Sequence, residues 1–67
     1  MAIVTVDMRS GRTDEQKMTF AAAILDAVTK ATGEPRENIH VVLHENRGVN
    51  MVENARHLPE YGAPPAD

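Results

Sequence analysis

The order of local signals along residues 2 to 45 leaves this chain few folds to choose from. Residues 2 to 8, Ala-Ile-Val-Thr-Val-Asp-Met, are rich in β-branched side chains, and Val4, Val6 and Met8 fall on one face at a period of two, which predicts a strand. Ser10-Gly11 breaks it. Thr13 then stands as a helix N-cap with Gln16 three residues on to complete a capping box, and Asp14 and Glu15 lie in the positively polarised first turn. A helix over about 14 to 32 is expected, closed by Gly33 as the left-handed residue and by Pro35. Ile39 to Glu45 alternates Ile39, Val41 and Leu43 against His40, Val42 and His44, which predicts a second strand. Strand, crossover helix, strand gives an α/β unit with two parallel strands and a right-handed connection.

Beyond that unit the signals are weaker. Asn46-Arg47-Gly48 reads as a turn, Val49 to Glu53 as a short third strand or the start of a short C-terminal hairpin, and the tail with Pro59, Gly62, Pro64 and Pro65 as irregular from about 55. Leu58 and Tyr61 are expected to pin part of it to a partner surface. One domain over 1–67 is expected, with no repeat or linker.

A chain of 67 residues buries only about 60% of the surface its unfolded form exposes. Small scaffolds rely on disulfides, a metal or oligomerisation. Cysteine is absent, which removes disulfides and thiolate zinc sites together. The helix carries two apolar stripes, Met18, Ala21, Leu25, Val28 and Thr32 beside Phe20, Ile24, Ala27 and Ala31, enough to cover its own sheet with one and offer the other to a neighbour. An oligomer is therefore the leading expectation. The net charge of −3 is dispersed, with no basic run or interleaved aromatics, so nucleic acid is not an expected partner. The longest apolar stretch, Phe20 to Leu25, cannot span a bilayer. A cytoplasmic protein is the default expectation.

Three side chains stand out chemically. Arg9 and Arg12 follow the first strand; two planar guanidinium groups can clamp a carboxylate and draw electron density from a conjugated double bond, although an arginine pair in a loop is also common solvated surface. Glu53, two residues after Met51, would share a face with it in an extended segment, setting a carboxylate beside an apolar wall; the plain alternative is an exposed edge glutamate. His40 and His44 share a strand face but stand about 13 Å apart at four strand steps, too far for one metal ion. No cofactor or metal is expected, and neither a nucleophile elbow nor a Gly-rich phosphate loop occurs.

The segment Gly11-Arg12-Thr13-Asp14-Glu15-Gln16-Lys17 within a βαβ unit of this length resembles the 4-oxalocrotonate tautomerase family of the tautomerase superfamily. Within it, residues 7–17, Ala31 to Ile39, Asn50-Met51-Val52-Glu53 and His57-Leu58-Pro59-Glu60-Tyr61 resemble the alpha-type subunits of trans-3-chloroacrylic acid dehalogenases. The resemblance implies a hexamer, three alpha with three proline-terminated beta-type chains. It implies that Arg9 and Arg12 bind the carboxylate of a trans-3-haloacrylate, with Met51 lining the site. Glu53 would activate water for attack at C3, and the partner's amino-terminal proline would protonate C2, giving malonate semialdehyde and halide. The chain departs from the family at Ala2, where tautomerases carry that proline, at His40, where they carry an arginine, and at Val52-Glu53-Asn54-Ala55, which replaces a glycine-rich hairpin. The chain alone is then expected to be inactive. The rival expectations are a homohexamer with weak tautomerase or hydratase activity through the Ala2 amine, and a non-catalytic assembly subunit.

Overall fold

The computed structural model describes residues 1–62. Strand β1 (Ala2–Arg9) leads through a short loop into helix α1 (Asp14–Thr32), a 3₁₀ turn at Arg36–Asn38 follows, and strand β2 (Ile39–Asn46) returns beside β1. The two strands pair in parallel over their whole length, from Ala2 opposite Ile39 to Arg9 opposite Asn46. Ser10 N–H donates to Asn46 O at 2.7 Å and ties the loop after β1 to the end of β2.

The helix begins and ends as the residues dictate. Thr13 accepts from Gln16 N–H through its side chain, and Gln16 in return accepts from Thr13 N–H. Gly33 closes the helix at φ 75° and donates its N–H to Thr29 O. Lys17 lies 2.9 Å from Glu45 and 3.4 Å from Asp14, joining the first turn of α1 to the end of β2. Its ammonium is held above its ordinary value of 10.5, chiefly by the hydrogen bond it donates to Glu45.

Along β1 the side chains alternate as the period of two requires, with Val4, Val6 and Met8 turned inward and Ile3, Thr5 and Asp7 outward. The helix turns inward Lys17, Ala21, Ile24, Leu25, Val28 and Thr29, all half-buried. That set takes Ala21, Leu25 and Val28 from one expected stripe and Ile24 from the other. Met18, at the start of the first stripe, is 73% exposed. Only Met8 and Ile39 are buried apolar residues among those described, and Ile3, Phe20 and Val42 remain exposed. The Cα radius of gyration is 14.8 Å, against about 11 Å for a compact chain of this length. A single copy thus leaves much of its apolar surface in water.

The third strand is shorter than expected. Gly48–Asn50 form a 3₁₀ turn, and only Val52–Glu53 (β3) is extended in a ladder. It pairs antiparallel with Arg56–His57 (β4), Val52 opposite His57 and Glu53 opposite Arg56, so the irregular tail expected from about 55 contains a strand. Asn54 and Ala55 have φ of 52° and 64°, the positive values that a two-residue type I′ hairpin turn needs. Asn tolerates them, whereas Ala in that region carries a penalty of about 1–2 kcal/mol; the short C-terminal hairpin is present as expected. Leu58 N–H donates to Met51 O, and the Tyr61 ring lies by Arg12 and Gly11 of its own chain. The expectation for Pro64 and Pro65 lies outside the described residues.

Candidate active site

The parallel pairing brings the ends of β1 and β2 to one edge, where Arg9 is the last residue of β1 and Arg12 precedes the helix cap by one position. Both are half-buried. Arg12 Nη1 donates to Arg9 O at 3.1 Å, which folds the loop so that both guanidinium groups rise from the same edge. Arg9 Nη1 donates to Pro59 O at 2.8 Å. Among the described residues no carboxylate lies within ion-pair distance of either arginine, while Lys17, Arg36 and Arg47 are each matched to one. Two guanidinium groups at the carboxyl end of a parallel pair, with no counter-charge among the described residues, have the chemistry to hold an anion.

The tail completes this position from the other side. Leu58 N–H donates to Met51 O at 2.9 Å, and the His57 ring nitrogen Nδ1 lies 2.7 Å from Val49 O, fixing the hairpin on the turn before it. Residues 58–61 then cross Gly48. A side chain there would meet backbone: a Cβ on Gly48 would lie 2.2 Å from Pro59 O and 2.5 Å from Leu58 O. Gly48 N–H donates to Glu60 Oε1 at 3.0 Å, and the Arg47 guanidinium lies 3.6 Å from the same carboxylate. Beyond this latch the Tyr61 ring lies over the loop of the two arginines, 4.1 Å from Arg12 Cζ and 6.0 Å from Arg9 Cζ. Its Cδ1 would be 3.1 Å from a Cβ on Gly11.

The structure therefore brings Arg9 and Arg12 together, and no direct bond joins Glu53 to them among the described residues. Glu53 is exposed, adjacent to the hairpin tip, and among the described residues it makes no hydrogen bond or ion pair with either arginine. Met51 is half-buried at the base of the hairpin, where its backbone is extended and its carbonyl holds Leu58. Ala2 opens β1, half-buried opposite Ile39. His40 and His44 are both exposed, with His44 Nδ1 3.3 Å from Asp7 Oδ1. No group of three potential metal ligands occurs among the described residues. Beside Arg12 a groove of about 380 Å³ opens, lined also by Val6, Met8, Gln16 and Phe20.

Gly48, Pro59, Glu60 and Tyr61 are the residues that reading the sequence missed at this position. Arg9 and Pro59 lie 50 residues apart, and no local periodicity reports such a contact.

The tautomerase enzyme family profile matches residues 3–53, a span that contains Arg9, Arg12 and Glu53. The chain belongs to the tautomerase family. It is 47% identical over 45 residues to a probable tautomerase of Lactiplantibacillus plantarum, covering 67% of this chain and 70% of that protein. This tautomerase-family chain is also similar to trans-3-chloroacrylic acid dehalogenase, solved after covalent inactivation by 3-bromopropiolate, with 52% identity, a TM-score of 0.81 and 88% of this chain aligned to 97% of that one. N2, a member of the 4-oxalocrotonate tautomerase family, superposes with a TM-score of 0.80 at 44% identity, over 88% of this chain and 92% of that one. No helix among the described residues is long and apolar enough to cross a membrane.

Proposed function

We propose that this chain is the alpha-type subunit of a hydrolytic dehalogenase or hydratase that adds water to a trans-3-haloacrylate. The observation that carries the reading is the paired Arg9 and Arg12 guanidinium groups, with no carboxylate within ion-pair distance among the described residues, in a chain 52% identical to trans-3-chloroacrylic acid dehalogenase. The arginines hold the substrate carboxylate and withdraw electron density from the conjugated double bond, which makes C3 electrophilic. Glu53 accepts a proton from the water that attacks C3, with Met51 as an apolar wall. C2 takes its proton from an amino-terminal proline of a beta-type partner, because Ala2 offers no secondary amine. The resulting 3-halo-3-hydroxypropionate expels halide from C3 as its hydroxyl loses a proton, leaving malonate semialdehyde and hydrogen halide.

This division of labour fits a site built between chains in a hexamer of three alpha and three beta subunits. Glu53 makes no direct bond to the arginine pair among the described residues, and the exposed Ile3, Phe20 and Val42 give a partner apolar surface to cover. A second reading, a homohexameric tautomerase or hydratase acting through the Ala2 amine, is favoured by the 47% identity to a probable tautomerase.

Arg9→Ala and Arg12→Ala test the proposal. Each should lower kcat/KM for a 3-haloacrylate by at least about 1.5–3 kcal/mol, the range for hydrogen bonds to charged groups. Assembly, measured by sedimentation, should be unaffected, since neither side chain contributes apolar burial. Unchanged kcat/KM in both variants would return the arginines to solvated surface.

A further inference from the structure

We infer that the segment Leu58–Tyr61 is a positioning strap for the two arginines, with the Tyr61 ring setting the plane of Arg12 for a carboxylate; the inference rests on the proposed use of Arg9 and Arg12 and adds the element that holds them. Three contacts independent of one another place the strap. Glu60 accepts from Gly48 N–H and faces Arg47. The Pro59 carbonyl takes one donor of Arg9. The Tyr61 ring stands 4.1 Å from Arg12 Cζ against the open face of Gly11.

The geometry of each contact decides its role. A guanidinium group carries its five N–H donors in one plane, so a ring on its face holds it by cation–π attraction and leaves the edges free to fork onto a carboxylate. One donor of Arg12 is used on Arg9 O, and one of Arg9 on Pro59 O, and the other donors of each side chain have no hydrogen-bond partner among the described residues. A long side chain otherwise surrenders rotamer freedom on binding; fixing it beforehand lowers that cost. Tyr61 is 40% exposed, yet its ring is placed by the latch one residue earlier, so Glu60 and Tyr61 act as one unit. Neither residue touches the reacting carbons in this scheme. They act through the arginines.

Propionate, a three-carbon carboxylate that cannot be hydrated, separates this inference from the reaction. Its binding is measured by calorimetry on the full chain co-assembled with its proline-terminated partner. Tyr61→Ala should weaken propionate binding by roughly 3- to 30-fold, the range of a cation–π contact, and Tyr61→Phe should restore most of that affinity because the ring remains. Glu60→Ala should weaken it in the same direction while the ring itself is intact. In nuclear magnetic resonance spectra the Arg12 Nε–H proton should be shifted upfield by the ring in the wild type and in Tyr61→Phe, and relax toward the ordinary arginine position in Tyr61→Ala. For the haloacrylate, the loss should fall mainly on KM. Equal propionate affinity in wild type and Tyr61→Ala would overturn the strap, as would a wild type that binds no propionate. A Tyr61-dependent affinity for propionate in an assembly that releases no halide would uphold the strap and overturn only the reaction.

Discussion

Glu53→Gln is expected to lower halide release from a 3-haloacrylate by about 10²–10⁴, the contribution typical of general acid–base catalysis. The substitution keeps the size of the side chain and removes the group that takes the proton from water. It separates hydration from tautomerisation, because ketonising a dienol needs an acid–base amine but no activated water. Glu53 is exposed in β3, and among the described residues it has no side-chain partner that the change would strand. Stability and oligomeric state should therefore stay as in the wild type. Binding of a saturated carboxylate by Arg9 and Arg12 should also be preserved. A Glu53→Gln enzyme that releases halide at the wild-type rate would make this residue an ordinary edge-strand carboxylate.

Gly48→Ala should be the most damaging single methyl group in the chain. Gly48 is buried, and the added Cβ would fall 2.2 Å from one backbone oxygen and 2.5 Å from another. Backbone atoms cannot swing aside as a flexible side chain can, so the strap over residues 58–61 must lift. Overpacking of this kind costs about 1–3 kcal/mol. Pro59 O holds Arg9 and the Tyr61 ring covers Arg12, so the displacement should reach the carboxylate site as well. Thermal unfolding of Gly48→Ala should show a lowered Tm, and KM for the haloacrylate should rise at least as much as in Tyr61→Ala. Wild-type values of both would show that the strap does not cross Gly48 as described.

The βαβ unit was legible because its signals are local. Thr13 with Gln16, Gly33 before Pro35, and the period-two runs at Ile3–Met8 and Ile39–His44 each depend on neighbours within four residues, and each appears in the structure at the expected place. The C-terminal hairpin was expected, but its turn residues were not, because the turn uses Ala55 at φ 64°, where the usual signal is a glycine. Arg9 and Arg12 were legible as a pair from spacing and resemblance. Their setting was not, because Pro59, Glu60 and Tyr61 reach them only through long-range contacts with Gly48 and Gly11. The two apolar stripes of α1 did not decide which would face the sheet, and the structure turns in Ala21, Leu25 and Val28 of one with Ile24 of the other. Two stripes of similar apolarity leave the helix rotation to be set by the sheet it meets.

The central claim is that this chain supplies the carboxylate clamp and the base while another chain supplies the proton. Halide release is the direct measure: trans-3-chloroacrylate is offered to this chain alone, to a proline-terminated beta-type chain alone, and to the two co-assembled. The account predicts little or no halide from either chain by itself and sustained release from the co-assembly, lost again in the Glu53→Gln version. Full dehalogenation by this chain alone would contradict it.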